Sequence, residues 1–274
     1  MKTIKLLSLL LAGFMIFIYS CEKNEGTAKF NLYLTDAPAS YDAVNIDVQS
    51  AKIHFESDGE GEWKTLDIET GIYNLLELTN GVDVSLASAD LPSGTISQIR
   101  LILGENNSLV KGDETYDLTI PSAYTSGLKF NVHAQLEAGL TYNLWIDFDA
   151  SKSVVHTGSG TYHLKPVIRT YTEATSGAIK GYVVTPILDS DDPIEYDPIE
   201  GVTVSISFLE DGNTENTVIS TNTNEDGYFM LSGVPEGSYI VKFLKEADPA
   251  IDKEIEDVEV EIGTVNDLEN IIIE

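Results

Sequence analysis

The alternation of apolar and polar residues with a period of two is the strongest constraint on how this chain can fold. In one run, Phe30, Leu32 and Leu34 occupy every second position. Successive side chains of a β-strand point to opposite faces of a sheet, so this pattern predicts a strand with one buried face. Similar runs recur along the chain, and they start at Val44, Ile99, Tyr116, Leu128, Tyr142, Ile179, Val202, Tyr239 and Val258.

Turn sequences separate these runs. Many short strands with turns between them are typical of β-sandwiches and β-barrels. The chain has 274 residues, a length that suits two domains of ordinary size. We therefore predict an all-β chain with two β-sandwich domains in tandem. The turn signals in the first half are Asn80-Gly81, Pro92-Ser93-Gly94, Glu105-Asn106-Asn107, Lys111-Gly112-Asp113 and Glu137-Ala138-Gly139.

Two segments depart from simple alternation. The apolar positions from Val44 to Val48 are even-numbered, whereas the following Ile53 and Phe55 are odd-numbered. Such a slip within one strand predicts a β-bulge, because one inserted residue exchanges the two faces. Only Ile72 to Leu78 has a spacing that suits a short helix.

The first 20 residues have the three parts of a secretory signal. Lys2 and Lys5 precede an apolar run from Leu6 to Ile18, which is shorter than the roughly 20 residues that a bilayer span needs. The run ends in Ile18-Tyr19-Ser20-Cys21, which resembles a bacterial lipobox. We predict that residues 1–20 are a cleaved lipoprotein signal peptide and that residues 21–28 are a tether.

Cys21 is the only cysteine of the chain. In a lipoprotein its sulfur carries a diacylglycerol and its freed amine is acylated, and two or more acyl chains anchor a protein stably. We therefore predict that Cys21 is lipidated and that the membrane is a partner through this lipid. The alternative is an ordinary exported protein in which the cysteine has no such role.

The chain is strongly acidic, with a formal net charge of -29. Phosphate backbones would be repelled by such a chain, so we expect no nucleic-acid partner. The charge is uneven, because residues 174–274 contain 4 Lys and Arg against 23 Asp and Glu. Solubility and attraction of divalent cations follow from this excess.

A set of motifs in the first half carries a family resemblance. The motifs are Leu34-Thr35-Asp36-Ala37-Pro38, Trp63, Asn74 to Leu78, Gln98 to Leu101, Pro121-Ser122, Gly127 to Lys129, Asp147 to Ala150, Ser153 to Val155 and Leu164 to Arg169. Through these motifs the chain is similar, over roughly residues 27–171, to a domain-of-unknown-function family (number 4382) found in Bacteroidetes-type lipoproteins. The resemblance implies an exported β-sandwich at residues 29–171, and it brings no activity.

A second resemblance begins after a small, polar segment, residues 172–177, which we predict to be a linker. The residues that carry the resemblance are Gly181, Gly201 to Val204, Asn224 to Phe229 and Pro235 to Tyr239. Through them, residues 178–274 are similar to a carboxypeptidase regulatory-like domain, a prealbumin-type β-sandwich without the zinc catalytic domain of the carboxypeptidases. This resemblance implies no peptidase activity.

Asp147, Asp149 and Trp145 are the candidate ligand or cation residues. They share one face of a predicted strand, and paired carboxylates beside an aromatic ring can hold Ca²⁺ or a sugar. The alternative is cross-strand pairing, since opposite charges that face each other stabilise a sheet. The polar face available for such pairing consists of Thr161, His163, Lys165 and Arg169.

The usual catalytic patterns are missing from the sequence. The four histidines lack metal-binding spacing, and there is no Gly-x-Ser-x-Gly elbow. The segment from Asn222 to Gly227 starts like a Ca²⁺ loop, but Gly233 stands where the bidentate Glu belongs, so we predict a hairpin turn there. We therefore expect no enzyme, no catalytic residue, no metal site and no cofactor beyond a possible Ca²⁺.

These observations lead to three functional hypotheses. The first is a non-catalytic binding or adhesive module, anchored by lipid at the outer membrane or cell surface, with a protein or glycan partner. The second is an accessory carbohydrate-binding protein of a polysaccharide uptake system, which predicts that Trp63, Trp145 or tyrosines lie exposed in a row. The third is a fimbrillin-like structural subunit that pairs through its edge strands.

Overall fold

The computed structural model describes residues 26–57, 59–121, 126–187, 195–210, 214–246 and 250–273. The predicted signal peptide, Cys21 and most of the predicted tether lie outside these ranges. The described chain is nearly all β, which confirms the predicted fold class. None of the helices in these ranges is long and apolar enough to span a bilayer.

The strands fall into two groups with separate cores. The first group is β1 (Thr27–Ala37), β2 (Ala43–Ser57), β3 (Glu60–Leu66), β4 (Gly71–Asn74), β5 (Val84–Pro92), β6 (Gly94–Leu103), β7 (Ser108–Lys111), β8 (Glu114–Thr119), β9 (Leu128–Leu136), β10 (Thr141–Asp149), β11 (Val154–His156), β12 (Tyr162–Leu164) and β13 (Ile168–Thr172). The second group is β14 (Gly177–Pro186), β15 (Tyr196–Pro198), β16 (Thr203–Glu210), β17 (Thr214–Asn222), β18 (Tyr228–Val234), β19 (Gly237–Lys245), β20 (Ile251–Val260) and β21 (Val265–Ile272).

The first sandwich packs a four-stranded sheet against a nine-stranded one. The smaller sheet has the order β13-β10-β1-β5, and the larger follows β11-β12-β8-β7-β2-β6-β9, with β3 and β4 also paired to β2. Strand β1 runs parallel to β10. The predicted alternation is observed, because Phe30, Leu32 and Leu34 are fully buried in the core between the two sheets.

Both departures from alternation have a structural cause. Strand β2 changes register against β6 between Val48 and Ser50, which confirms the predicted bulge. Val48 before the shift and Ile53 after it are both fully buried, so the bulge keeps the two halves of the strand facing the core. Within residues 72–78, only Leu75–Glu77 forms a short 3₁₀ helix, and the residues before it form β4.

The second sandwich consists of two four-stranded sheets. One contains β15, β14, β18 and β21, and the other has the order β17-β16-β19-β20. Phe229 and Phe243 meet edge to face in its core at a centroid distance of 5.6 Å. The predicted linker, residues 172–177, spans from the last residue of β13 to the first of β14.

The predicted hairpin at residues 222–227 is wrong. A turn is present, because the Asn224 side chain accepts hydrogen bonds from the backbone N–H groups of Asp226 and Tyr228. However, β17 pairs with β16 and β18 pairs with β14, so the turn connects the two sheets of the sandwich. Local turn chemistry does not distinguish these connections, because both need the same reversal of the backbone.

Core truncations should affect the two sandwiches separately. Phe30→Ala and Phe243→Ala each remove a fully buried ring, and each should lower the free energy of unfolding of its own sandwich by about 3–5 kcal/mol. Both tryptophans, Trp63 and Trp145, lie in the first sandwich. Tryptophan fluorescence during urea unfolding therefore reports the first sandwich, whereas circular dichroism reports both.

Phe30→Ala should shift the fluorescence transition to lower urea, and Phe243→Ala should shift only part of the circular dichroism transition. If Phe243→Ala moved the fluorescence transition as far as Phe30→Ala does, the two cores would form one cooperative unit.

Candidate functional site

Two rows of side chains cross the outer face of the β13-β10-β1-β5 sheet. The parallel register of β1 and β10, continued into β13, aligns Tyr33 with Trp145 and Tyr171. The same register aligns Thr35 with Asp147 and Arg169 one row further along. Residues that lie opposite each other on adjacent strands share a face, so these six side chains form one continuous surface. We call them the aromatic row (33, 145, 171) and the polar row (35, 147, 169).

The rings of the aromatic row stack on one another. The centroids of Tyr33 and Trp145 are 5.1 Å apart, and those of Trp145 and Tyr171 are 5.4 Å apart, with interplanar angles of 18° and 4°. Both faces of the Trp145 indole are therefore covered by neighbouring rings. Its Nε1 donates a hydrogen bond to Asp83 Oδ2 at 2.8 Å. A row of aromatic side chains is present, as the carbohydrate hypothesis requires, but Trp145 turns only an edge outward.

Arg169 of the polar row joins the two sandwiches. Its Nη2 lies 2.5 Å from Asp147 Oδ2, and its guanidinium also donates to the backbone oxygens of Ser232 and Gly233, both at 2.7 Å. Asp147 is only 6% exposed. Burial raises the pKa of Asp147, and the Arg169 charge opposes this shift. The cross-strand alternative is correct for Arg169, whereas β12, which carries His163, belongs to the other sheet.

A turn of the first sandwich provides a second connection. Asn80 donates through Nδ2 to the Asn222 oxygen at 2.9 Å, and its Oδ1 accepts from the Thr221 hydroxyl at 2.7 Å. The next residue, Gly81, packs so closely that a Cβ there would lie 2.5 Å from Met230 Sδ. The predicted Asn80-Gly81 turn is thus also an inter-domain contact.

A cleft of about 330 Å³ opens beside these contacts, between the two sandwiches. Its volume lies within the roughly 300–1,000 Å³ of ligand sites. Asp83 and Glu173 place two exposed carboxylates at it. The cleft is therefore an acidic opening with an aromatic wall. Its walls include Thr35, Trp145 and Tyr171 from the first sandwich and Met230, Ser232 and Val265 from the second.

Asp149 has a different structural role from Asp147. It caps the short helix α1 (Ala150–Ser153), where its Oδ1 accepts from the Lys152 backbone N–H at 3.0 Å and from the Ser151 hydroxyl at 2.7 Å. Burial would raise the pKa of Asp149, but these hydrogen bonds and the Lys152 ammonium, 2.6 Å from Oδ2, lower it. Each of the two predicted carboxylates therefore has its own cationic partner.

The described part of the chain contains no group of three or more His, Cys, Asp or Glu side chains that could hold a metal ion. Asp147 and Trp145 lie in adjacent rows at the domain boundary, as their shared face predicts, whereas Asp149 lies at the end of β10. Since Arg169 and Lys152 already neutralise the two carboxylates, a bound Ca²⁺ would have to displace both cations.

Asp36 is a buried carboxyl that the sequence analysis did not single out. It is 6% exposed, and its Oδ1 accepts from the Ala150 N–H at 3.0 Å. Its Oδ2 is buried without a hydrogen-bond partner among the described residues. Burial raises the pKa of Asp36 to about 9, and the charges of Asp147 and Asp149 add to this effect. Asp36 is therefore protonated at neutral pH.

Other residues of this site were also missed. Tyr33 and Tyr171 carry no motif, and only the pairing of their strands with β10 places them beside Trp145. The burial of Asp36 could have been predicted from the sequence. Asp36 stands at an even position that continues the buried series of Phe30, Leu32 and Leu34. A carboxyl in such a series predicts a buried acid.

Comparison with known proteins identifies a protein family that matches this chain. A family model described as Domain of unknown function (DUF4382) matches residues 27–166, just over half of the chain. No curated protein matches the chain. The match ends before β14, so it covers strands of the first sandwich only.

Three solved structures are similar at low identity. The minor pilin GBS52 of Streptococcus agalactiae is 11% identical, over 89% of this chain and 94% of that chain, with a TM-score of 0.27. The shaft pilin SpaA from Lactobacillus rhamnosus GG is 11% identical, over 90% and 96%, with a TM-score of 0.22. The Bacillus anthracis TIE protein is 12% identical, over 91% and 34%, with a TM-score of 0.24.

Removing the Arg169 guanidinium should destabilise the protein. Arg169→Met leaves Asp147 buried without its cation and two carbonyls without their donor. We expect a loss of about 2 kcal/mol in the free energy of unfolding, less than for a fully buried pair because Arg169 is one-third exposed. Urea unfolding followed by tryptophan fluorescence measures this loss.

Lys152→Met is the matched control, because Lys152 forms an exposed ion pair with Asp149. It should cost at most about 0.5 kcal/mol. Adding Asp147→Asn to Arg169→Met should recover part of the loss, since the uncompensated charge is then gone. Equal losses for Arg169→Met and Lys152→Met would contradict the role of Arg169.

Asp36→Asn should flatten the pH dependence of stability. Between about pH 4 and pH 9 the folded chain holds a proton on Asp36 that the unfolded chain releases, so this group destabilises the fold as pH rises, by at most about 1.4 kcal/mol per pH unit. The amide cannot ionise, so the stability difference between variant and wild type should grow from pH 4 to pH 9. Urea titrations across this range measure it, and a constant difference would show that Asp36 ionises normally.

Proposed function

This chain belongs to the DUF4382 family, and we propose that it is a non-catalytic binding or adhesive module, anchored through lipid on Cys21 at the outer membrane or cell surface. The observation that carries the proposal is the cleft between the two sandwiches. A cleft between two domains that is lined by aromatic rings on one side is a typical place for a ligand to bind.

The chemistry of the cleft indicates what it binds. Trp145, Tyr171 and Met230 supply an apolar lining, and Asp83 and Glu173 supply negative charge. An apolar group next to a cation is complementary to this combination. A lysine or arginine side chain on a partner protein has this character, since its stem is apolar and its head is charged.

Three carboxyl groups near the cleft are buried or bonded within the protein, which favours binding over catalysis. A general acid or base must reach the reacting group with a free carboxyl. Asp83 accepts from the Trp145 indole, and Asp147 pairs with Arg169. Asp36 lies opposite Phe148, on the face of β1 that is buried in the core.

The position of the cleft suits display away from a membrane. Only five residues separate Cys21 from the start of β1 at Thr27, which is at most about 22 Å of extended chain. Strand β1 then rises by roughly 27 Å before it reaches Thr35 at the cleft. An anchor on Cys21 would therefore hold the first sandwich near the membrane, with the cleft at the far end of β1.

The two alternatives receive less support from the geometry. A sugar stacks on the face of an aromatic ring, and both faces of Trp145 are covered. For a fimbrillin-like subunit, an edge strand would have to accept a strand from a neighbour. The edge strand β20 carries Asp252, Glu254 and Glu259, and charged edges resist such pairing. The likeness of the second sandwich to carboxypeptidase regulatory-like domains stays a prediction.

Site-specific crosslinking on intact cells tests the proposal. A photoreactive residue introduced by Val265→benzoylphenylalanine stands at the cleft, where Val265 is 51% exposed. It should form a discrete crosslink to a partner, and Trp145→Ala in the same chain should remove that crosslink. With Cys21→Ala the chain should leave the membrane fraction and the crosslink should be lost from the cells.

Leu140→benzoylphenylalanine is the matched control, because Leu140 is 58% exposed and its backbone bonds to Lys29 near the start of β1. It should give no such crosslink. Protease added to the same cells reports whether the chain faces outward. Crosslinks of equal yield at both positions, or turnover of a substrate by the purified chain, would contradict the proposal.

A further inference from the structure

The outer face of the nine-stranded sheet carries a second row of side chains, far from the cleft in the fold. The register of β3, β2, β6 and β9 places Trp63, His54, Gln98 and Asn131 side by side. Strands are about 4.8 Å apart, so the row extends for roughly 14 Å. Gln98 Nε2 donates a hydrogen bond to Asn131 Oδ1 on the adjacent strand, at 3.0 Å. The row is thus a flat, polar strip with an indole at one end.

A basic row lies directly beside this strip. Two residues further along the same strands, Lys52, Arg100 and Lys129 stand side by side, next to Thr65 on β3. Alternate residues of a strand share a face, so the three cations lie on the same surface as the strip. We call the two rows together the basic face.

The cations of the basic face have no carboxylate partner in the described part of the chain. Five described cations form ion pairs with acidic side chains, namely Lys64, Lys152, Arg169, Lys180 and Lys242. Lys52, Arg100 and Lys129 are among the described cations that do not, and they stand side by side on one face. The chain contains 45 Asp and Glu against 16 Lys and Arg. Three adjacent unpaired cations in so acidic a chain are therefore a local exception that fits an external anion.

Trp63 adds an apolar surface to this charge. It is 39% exposed, and the Arg100 guanidinium lies 3.8 Å from the centroid of its ring, so that one indole face is covered and positively charged. A groove of about 320 Å³ runs over Trp63, His54, Gln98 and Asn131. The Glu56 carboxylate lies at the end of the groove, where it is 3.2 Å from His54 Nδ1.

We infer that the basic face binds an acidic polysaccharide chain. Its carboxylate or sulfate groups would pair with Lys52, Arg100 and Lys129, its sugar rings would pack on Trp63, and its hydroxyls would bond to the amides of Gln98 and Asn131. This inference adds a second ligand class to the proposed binding module, at a site that shares no residue with the cleft.

The geometry favours a saccharide over an acidic peptide. An extended peptide binds a sheet most directly by pairing with an edge strand. The basic face is instead the surface of the sheet, and its central strands β2 and β6 are paired on both sides. It offers side chains only, and planar amides beside an aromatic ring complement the mixed hydroxyl and apolar faces of a sugar.

Fluorescence of Trp63 tests this inference directly. Trp145→Phe keeps a ring in the aromatic row and leaves Trp63 as the sole tryptophan. Titration of this purified chain with an oligogalacturonide should give a saturable change in Trp63 emission. The affinity should fall with added salt, because the ion pairs are near the surface. Arg100→Gln and Lys52→Gln should each weaken binding about tenfold, as charge-assisted hydrogen bonds are lost.

Lys29→Gln is the matched control, because Lys29 lies exposed on β1, in the other sheet of the sandwich. It should leave the affinity unchanged. Equal binding of a neutral malto-oligosaccharide would overturn the role of the cations, and equal binding of polyglutamate would overturn the saccharide. A change in Trp63 emission with protein concentration alone would assign the face to a second copy of the chain. Absence of any response would reject the inference, whereas the crosslink at Val265 is unaffected by each of these outcomes.

Discussion

The arrangement of the two sandwiches depends on one guanidinium group. Arg169 stands on the last strand of the first sandwich, three residues before that strand ends. It pairs with a buried carboxylate of its own sheet and donates to two backbone oxygens of β18 in the other sandwich. The planar fork of arginine can serve both partners at once, which an ammonium group cannot do with the same geometry.

Glycine makes that contact possible. Gly233 has a φ of +67°, and a Cβ at this position would lie 2.4 Å from Tyr171 Cδ1. The Tyr171 ring therefore packs closely against the backbone of β18 at Gly233, and the Arg169 guanidinium lies 5.1 Å from the centroid of the same ring. Burial raises the pKa of the Tyr171 hydroxyl, so it remains uncharged next to Asp147. The boundary between the domains is thus made of backbone and ring surface more than of matched side chains.

The sequence was sufficient to predict structural features that depend only on residues close together in the chain. Alternation located the strands, and the parity change after Val48 located the bulge, because a strand's pattern of burial is local. Residues whose role depends on distant pairing were missed. Tyr33 and Trp145 meet only because β1 pairs with β10, and Asn80 was read as a turn although it also contacts Thr221. Asp147 and Trp145 were found because they share a strand and a face.

The parallel pairing of β1 with β10 also affects when the protein can fold. Asn31 bonds to Asn143 across a separation of 112 residues, and the two rows at the domain boundary form through the same pairing. Contacts between such distant residues form late, because the long intervening loop must close first. During synthesis β1 remains without this partner until β10 has left the ribosome. The first sandwich therefore cannot close while half of its chain is still being made, and until then the apolar face of β1 lacks the strand that later lies parallel to it.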